Sequence, residues 1–594
     1  MSRSSCIVRQ AASTISRLSL EGIPPSLYSE RLIERLTSVQ PSDLSLLAAE
    51  IRQTSSNSGA DAFLWRALAA HSAARMGEME PSTAAFLTNT FVRTPDDRFR
   101  TSEELKGWLR AVADMLTKHM ERGSGGAAPS GRDVAIVANA LVRLPLALSE
   151  EQWLRRFFRQ LSQHSSAPDG IAADGVDGPA VAMLTNAMAR CGAVGREDAL
   201  PAFQRFSAAL QRPRPNLMAA LELRSVAAIA NAYAHFHIVD GPLFRLLSDK
   251  ARGLLAKRGS ESGGEDDSAE SESVSIGAGG GTSCVELGML VNAWARVDLR
   301  DEGLVREVMG AMVSRGLVHV GSGTIATVLN GLAKVAVKDE GFLSAVSSLL
   351  QERLAARTAA YAPSGSAPGD SNDPADVAAP LTARDVANAT DAFARLGYHD
   401  PTYLHFVAAW LHAALEELQP MDVVALASSF ARLRFRDQPA FHVLAAALKA
   451  NIADFSLPQL AAILTAYARL RISDTRTLTS IAHHIYTAIT PQRPGISPRH
   501  RRLAARASRQ PQTRAAAAAA PSNESDPDEP ADATDVCAMV SILSGFGRLD
   551  VSHPEFFDAA GGWLVRQGVD SIGTSDLREI VSCSTPSQPH WPPA

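Results

Sequence analysis

Ten times along this 594-residue chain a small hydrogen-bonding side chain stands four residues ahead of a basic one. The polar members are Asn89, Asn139, Asn186, Asn231, Asn292, Asn330, Asp391, Ser428, Thr465 and Ser544. Their basic counterparts are Arg93, Arg143, Arg190, His235, Arg296, Lys334, Arg395, Arg432, Arg469 and Arg548. On a helix, residues four apart lie on one face, a turn from each other. Amide, carboxylate and hydroxyl groups can meet a base edge, and a guanidinium or ammonium beside them can meet a phosphate. Helical arrays that read single-stranded RNA one base per repeat use such side chains. The alternative is structural. Each Asn could bond the backbone of a neighbouring repeat, and each basic group could cap its helix or pair with an aspartate five residues on. A column used for packing alone would accept Ala or Leu in some units, and none of the ten does.

The elements that carry this column repeat. Uninterrupted steps between basic anchors are 37 or 38 residues, as from Arg395 to Arg432, Arg432 to Arg469 and Arg296 to Lys334. Longer steps contain low-complexity inserts at 259–281, 358–376 and 491–532, with smaller ones near 123–131 and 165–178. Each unit reads as two helices. Helix A spans about Asp385–Leu396 in the cleanest unit and helix B about Pro401–Leu418; the next two pairs start at Asp422 and Gln438, then at Pro458 and Thr475. Five residues after the anchor comes Asp240, Asp301, Asp339, Asp400, Asp437 or Asp474, placed to cap helix B and meet the positive end of its dipole. One residue before the anchor is usually Ala (Ala189, Ala234, Ala295, Ala333, Ala394, Ala431, Ala468), which permits close helix approach. Two before it is large and apolar (Phe91, Met188, Tyr233, Trp294, Phe393, Phe430, Tyr467, Phe546), and three after it is apolar again (Ile238, Leu299, Val337, Tyr398, Phe435, Ile472, Val551). At regular helical spacing the aromatics read as core rather than as base-stacking platforms. One hairpin cannot bury its own apolar face, so neighbours must stack.

Composition narrows the classes further. Apolar residues make up 46% and aromatics only 6%, a balance suited to close-packed helices. Cys6, Cys191, Cys284, Cys537 and Cys583 stand far apart with no CxxC pair, against a zinc site or a disulfide framework. No apolar run approaches the roughly 18 residues of a membrane span. Gly277–Gly281 lacks a Walker lysine, His483 and His484 lack a metal-binding cluster, and no nucleophile elbow or HExxH pattern occurs, so neither catalysis nor a cofactor is expected. The formal charge is −5, but the inserts hold much of the acid, including Asp266, Asp267, Asp526 and Asp528. Without the inserts the scaffold is near neutral and slightly basic, which suits protein partners at least as well as RNA. The Arg-rich run from Arg493 to Arg514 is either a flexible phosphate-binding arm or a solvated loop.

From Met1 to Leu20 there is no acid, while Arg3, Arg9 and Arg17 oppose Ile7, Ala11, Ile15 and Leu18 on a helical wheel. That pattern predicts an organellar import segment, mitochondrial rather than plastid. The period, the paired helices and the "NAxARL…D" texture over roughly Ser82–Gln567 resemble the heptatricopeptide and octotricopeptide repeat proteins of organelles. The resemblance implies an α-solenoid acting in organellar RNA maturation, stability or translation, or a subunit of a mitochondrial ribosome. The RAP domain that many such proteins carry is not expected, since only Ser571–Ala594 follows the last hairpin. The expected layout is a targeting segment at 1–22, degenerate repeats at 23–122, central repeats at 131–357, regular repeats at 377–490, an insert at 491–532, a last repeat and cap at 533–582 and a Pro-rich tail at 583–594. The expected fold is an all-α, right-handed α-solenoid of about ten hairpins with helix A on the inner surface. The expected partners are mitochondrial mRNA or rRNA, protein subunits of a matrix ribonucleoprotein, or both. Asn139, Asn186, Asn231, Asn292, Asn330, Asp391, Ser428 and Thr465, with Arg143, Arg190, Arg296, Lys334, Arg395, Arg432 and Arg469, form the candidate contact surface.

Overall fold

A computed structural model describes residues 43–54, 60–94, 97–122, 129–143, 152–167, 176–213, 216–261, 284–360, 381–490, 533–551 and 553–566. The import segment at 1–22, most of the three long inserts and the tail at 583–594 lie outside the described residues. Every regular element among the described residues is a helix. The fold is an all-α array of helical hairpins, as the repeat pattern predicts.

The contacts form two compact units that divide at Gly316–Leu317, with Lys334–Val337 joining the first. In the first unit the elements are α1 (Leu44–Thr54), α2 (Ala60–Ala74), α3 (Pro81–Val92), the short α4 (Asp97–Arg100), α5 (Glu103–Arg122), α6 (Gly131–Leu141) and α7 (Gln152–Ser166). They continue with α8 (Gly178–Arg190), α9 (Arg196–Leu210), α10 (Leu223–His235), α11 (Gly241–Glu261), α12 (Cys284–Arg296) and α13 (Glu302–Ser314). The second unit holds α14 (Ser322–Val335), α15 (Glu340–Ala360), α16 (Ala383–Leu396), α17 (Pro401–Ala413), α18 (Pro420–Arg432) and α19 (Gln438–Ala450). It ends with α20 (Leu457–Leu470), α21 (Thr475–Ile489), α22 (Ala533–Arg548) and α23 (Pro554–Arg566).

Two layers run through each unit. Helices of the A type pack on one another, as in α3–α6–α8–α10–α12 and in α16–α18–α20–α22. Helices of the B type do the same, as in α5–α7–α9 and α15–α17–α19. The pair α1 and α2 packs on α3 and α5 in the same manner, so one further hairpin precedes the first anchor. Helix B is shorter than the sequence suggests. It stops at Ala413 rather than Leu418, and a 3-10 turn at Leu415–Glu417 leads to the next hairpin; Ile452–Asp454 does the same after α19. Conversely, α11 runs to Glu261 and α15 to Ala360, into the first residues of the inserts.

The aromatic column is core. Phe91, Met188, Tyr233, Trp294, Phe393, Phe430, Tyr467 and Phe546 are all buried. Burial of the Tyr hydroxyls is satisfied locally: Tyr233 donates to the Phe203 carbonyl at 2.6 Å, and Tyr403 meets Thr390 at 3.0 Å. A second small column, deeper than the one singled out in the sequence, also lies between the helices. Three residues before the anchor, Ala187, Ala232, Ala293, Ala392 and Ser429 are wholly buried, whereas the column one before it is mixed: Ala189, Ala234 and Ala431 are buried, and Ala295, Ala333, Ala394 and Ala468 are half-buried. At Gly545 in that deeper column, a Cβ would sit 3.2 Å from the Leu464 Cβ.

One closure ends helix A in nearly every unit. The residue two after the anchor takes a left-handed conformation: Gly192, His237, Asp298, Ala336, Gly397, Arg434, Arg471 and Asp550. In six of these eight, all but those at Gly192 and Ala336, the next N–H turns back to the carbonyl two residues before the anchor. Tyr398 donates to Phe393 at 2.9 Å, Phe435 to Phe430 at 2.9 Å, Ile472 to Tyr467 at 3.0 Å and Ile238 to Tyr233 at 3.0 Å. This is the Schellman closure, in which an apolar pair brackets the turn. The two apolar columns of the sequence are that pair; Phe393 and Tyr398 have ring centroids 5.2 Å apart.

The six aspartates cap helix B as expected. Asp240, Asp301, Asp339, Asp400, Asp437 and Asp474 accept backbone N–H bonds from residues three further on, at 2.8–3.3 Å. Several also tie one B helix to the next. The Ser207 hydroxyl donates to Asp240 at 2.5 Å and that of Ser347 to Asp400 at 2.7 Å, while Asp301 receives both Ser248 and Arg252. Burial alone would raise the Asp301 pKa, but the Leu304 N–H, the Ser248 hydroxyl and Arg252 together hold it below the ordinary value.

These closures set two expectations for stability. Glycine at 434 or 471 removes a Cβ from a left-handed position, so Arg434→Gly and Arg471→Gly each raise the unfolding free energy by roughly 0.5–1 kcal/mol. Urea midpoints check this, and a lower midpoint contradicts it. The lowered Asp301 pKa gives a stabilisation that is full above the ordinary carboxyl range and disappears as pH falls through the folded value. Asp301→Asn is therefore less stable than the parent at neutral pH, and the two midpoints converge well below pH about 4. A gap that persists in acid would show that charge is not its source.

Candidate nucleic-acid interface

The solvent face of the A layer is built by helical geometry. With the columns two, three and six residues before the anchor buried, what remains outward are the anchor and the positions four and seven before it. Nine of the ten polar residues in the ladder are half-buried; Ser544 alone is buried. Neighbouring A helices pack directly within each unit, so successive polar residues stand side by side across adjacent helices. Every polar candidate from Asn139 to Thr465 is thus at least partly exposed.

The two units treat the ladder differently. In the first unit Asn139, Asn186, Asn231 and Asn292 have no hydrogen-bond partner among the described residues. Beside them run Arg143, Arg190, His235 and Arg296, none of which pairs with a described carboxylate. These cations feel each other: burial, then Arg224 and Arg190, lower the pKa of Arg143, and burial, then Arg296 and His237, lower that of His235. In the second unit the ladder partly closes on itself. Arg395 donates to Asn330 of the preceding repeat at 3.2 Å, and Arg432 donates to Asp391 of its preceding repeat at 3.4 Å. Asp391 also lies 3.6 Å from Arg395 in its own helix. Thr465 gives its hydroxyl proton to the Ala461 carbonyl at 2.8 Å, and Ser428 makes no bond to a described group. Lys334 is exposed, and so is Arg469.

Two of the structural alternatives raised by the sequence, the bond to the neighbouring backbone and the pairing with the aspartate five residues on, do not describe this. No anchor arginine of α16, α18 or α20 pairs with the aspartate five residues on, because those carboxylates are committed to capping helix B. No ladder asparagine bonds the backbone of the next repeat among the described residues. The bond that does form, from anchor to the preceding repeat's polar residue, requires knowing which helices stack in register, which no single repeat displays.

The structure adds a third column. Seven residues before the anchor, the first unit presents Phe86, Ile136, Met183 and Met289, partly exposed apolar groups beside the asparagines, and the small Ala228 beside Asn231. The second unit has Thr327, Asn388, Ala425, Ala462 and Ser541 there. The fixed offset is a signal the sequence carries, but the mixture of large and small residues masks it. An apolar platform, an amide and a cation in one stripe can stack a base, meet its edge and hold its phosphate. Elsewhere, the described residues contain no group of three or more His, Cys, Asp or Glu that could hold a metal. Cys191 is buried, and that burial pushes its thiol pKa up. No described helix is long and apolar enough to cross a membrane.

The architecture defines a helical-repeat protein whose two units each carry an A-layer face. No family model matches the chain, and no curated protein does. Among solved structures, it is similar to a chain in a homology model of the full-length AP-3 complex in an intermediate open conformation. That alignment has 10% identity, covers 97% of this chain and 93% of the other, and has a TM-score of 0.25. A circular tandem repeat protein with novel repeat topology aligns at 12% identity over 98% of both chains, with a TM-score of 0.14. At these scores neither likeness bears on function.

The open ladder has a stability signature. Asn186→Ala and Asn231→Ala each leave the unfolding free energy within about 0.5 kcal/mol of the parent, as substitutions away from buried networks do. Asp391→Ala, which removes two partly exposed ion pairs, costs no more than about 1 kcal/mol. Thermal melts check both, and a loss well above these values at Asn186 would assign that side chain a structural bond.

Proposed function

We propose that this is a non-catalytic mitochondrial helical-repeat protein that binds single-stranded RNA along the A-layer face, in organellar RNA maturation, stability or translation. The observation that carries the reading is the unpartnered run Asn139, Asn186, Asn231 and Asn292 beside the unpaired cations Arg143, Arg190 and Arg296. Half-buried amides without partners and like charges in a row both raise the energy of the free protein. A ligand with base edges and phosphates relieves both at once. The acid-free, Arg-bearing stretch Met1–Leu20 supports import into the mitochondrial matrix. The resemblance to organellar heptatricopeptide and octotricopeptide repeats supports the same assignment.

A second reading is a structural subunit that holds proteins together in a mitochondrial ribosome or RNA-processing complex. The self-paired stretch of the ladder, Arg395 with Asn330 and Arg432 with Asp391, favours it for the second unit, where groups that read a base in the first reading already have partners.

The double variant Asn186→Ala with Asn231→Ala separates the two. Removing two hydrogen bonds to RNA at about 1 kcal/mol each weakens single-stranded RNA binding by roughly tenfold or more, with the melting temperature kept. Binding measured by fluorescence anisotropy checks this. An unchanged affinity sinks the ladder reading, and stable co-purification with protein subunits without RNA affinity supports the second. Fusing residues 1–22 to a fluorescent reporter tests import; a reporter that stays outside mitochondria removes the localisation.

A further inference from the structure

The hairpin turns of the second unit extend the basic row beyond the ladder. Arg434 and Arg436 in the α18–α19 turn follow the anchor Arg432 at the end of α18, and Arg471 in the α20–α21 turn lies between the anchor Arg469 in α20 and Arg476 at the start of α21. All six are exposed. The Arg436 guanidinium donates to the Arg471 carbonyl at 3.3 Å, which ties the two turns into one edge. Arg432 pairs with Asp391, but Arg434, Arg436, Arg469, Arg471 and Arg476 form no ion pair with a described carboxylate. The two acids in these turns, Asp437 and Asp474, are bound to the N-termini of α19 and α21, and Asp474 also accepts the Thr477 hydroxyl at 2.5 Å.

Six arginines against three committed carboxylates, Asp391 among them, leave a surplus of positive charge on one edge. Its apolar residues face inward: Leu433, Leu470 and Ile472 are buried, and Phe435 is half-buried with its ring against His405 at 5.2 Å. A protein interface centres on desolvated apolar anchors, and this edge offers none. Guanidinium forks on a hydrated rim instead suit the phosphates of a flexible polyanion. We propose that this arginine edge is a second binding site, which holds the phosphate backbone of single-stranded RNA without regard to base sequence. The choice of RNA as the polyanion rests on the function proposed above; the edge itself does not. Phosphate contacts supply affinity and position, and base contacts supply discrimination. The arginine edge takes the first role and the asparagine face the second.

Salt-titrated binding of a mixed-sequence single-stranded RNA and of oligouridylate to the full chain tests this. In the variant with Arg434→Gln, Arg436→Gln, Arg471→Gln and Arg476→Gln, the slope of log affinity against log salt becomes shallower by about 2–3, at roughly 0.7 for each phosphate no longer neutralised. The drop in affinity is equal for the two RNAs. The corresponding Arg→Lys variant keeps the slope, which separates charge from folding, and melting temperatures accompany every variant. The Asn186→Ala and Asn231→Ala variant loses affinity at an unchanged slope. An arginine variant with the parental slope overturns the proposal, as does a drop confined to one RNA. Displacement of RNA by polyglutamate at equal charge concentration would assign the edge to an acidic protein. If the arginine variant loses slope while the asparagine variant binds as the parent does, the edge stands and the asparagine face falls.

Discussion

Much of this structure depends on one backbone hydrogen bond, the N–H three residues after the anchor donating to the carbonyl two residues before it. It recurs from Tyr233–Ile238 to Phe546–Val551 at 2.9–3.2 Å. The bond stops helix A, reverses the chain and clamps an apolar pair across the turn. The same geometry fixes where the anchor goes. Being in the last turn of helix A, its positive charge meets the negative end of the helix dipole, and it emerges at the surface beside the polar residue one turn earlier. The candidate interface is in this sense a product of helix termination. Repeating the closure at a 37-residue period lays the anchors out as a row.

The residue type at the left-handed position shows how firmly the surroundings impose this turn. Only Gly192 and Gly397 lack the Cβ that conformation disfavours, while His237, Asp298, Ala336, Arg434, Arg471 and Asp550 adopt it against a steric cost. Burial of the bracketing pair must outweigh that cost in each case. Helix B is secured from the other side by its aspartate cap, and where Ser207, Ser248 or Ser347 reaches the cap of the following B helix, one carboxylate serves two repeats. The caps thereby take the carboxylates that would otherwise neutralise the anchors.

The period, both apolar columns, the aspartate caps and the polar ladder are legible in the sequence because each is a local property repeated at a fixed offset. Phe393, Tyr398 and Asp400 announce themselves within a dozen residues. The Schellman geometry is not legible, since six of its eight left-handed residues are not glycine and their types vary. Helix B reads too long in the sequence because Leu415 and Leu418 continue an apolar pattern through what is a 3-10 turn. The partners of the anchors escape sequence reasoning for a different reason. Arg395 and Asp400 are neighbours in sequence, whereas Arg395 and Asn330 are 65 residues apart and meet only because their helices stack. The arginine edge is hidden on the same ground: Arg436 and Arg471 look unrelated until the α18–α19 and α20–α21 turns lie together.

Why the same column is open in one unit and closed in the other follows from a change of residue type. An asparagine amide next to a guanidinium gains one neutral-acceptor bond, worth little against the hydration both groups lose. An aspartate there adds a charge, and Asp391 draws both Arg395 from its own helix and Arg432 from the next. With Asp391 in place, two consecutive anchors turn toward the ladder. Where Asn139, Asn186, Asn231 and Asn292 follow one another, no such attraction exists, and the cations repel instead. Replacing a single amide by a carboxylate thus converts a stretch of face whose cations are left unneutralised into one that neutralises itself. The surplus positive charge of the second unit then lies at the hairpin turns, on Arg434, Arg436, Arg471 and Arg476, which pair with no described carboxylate.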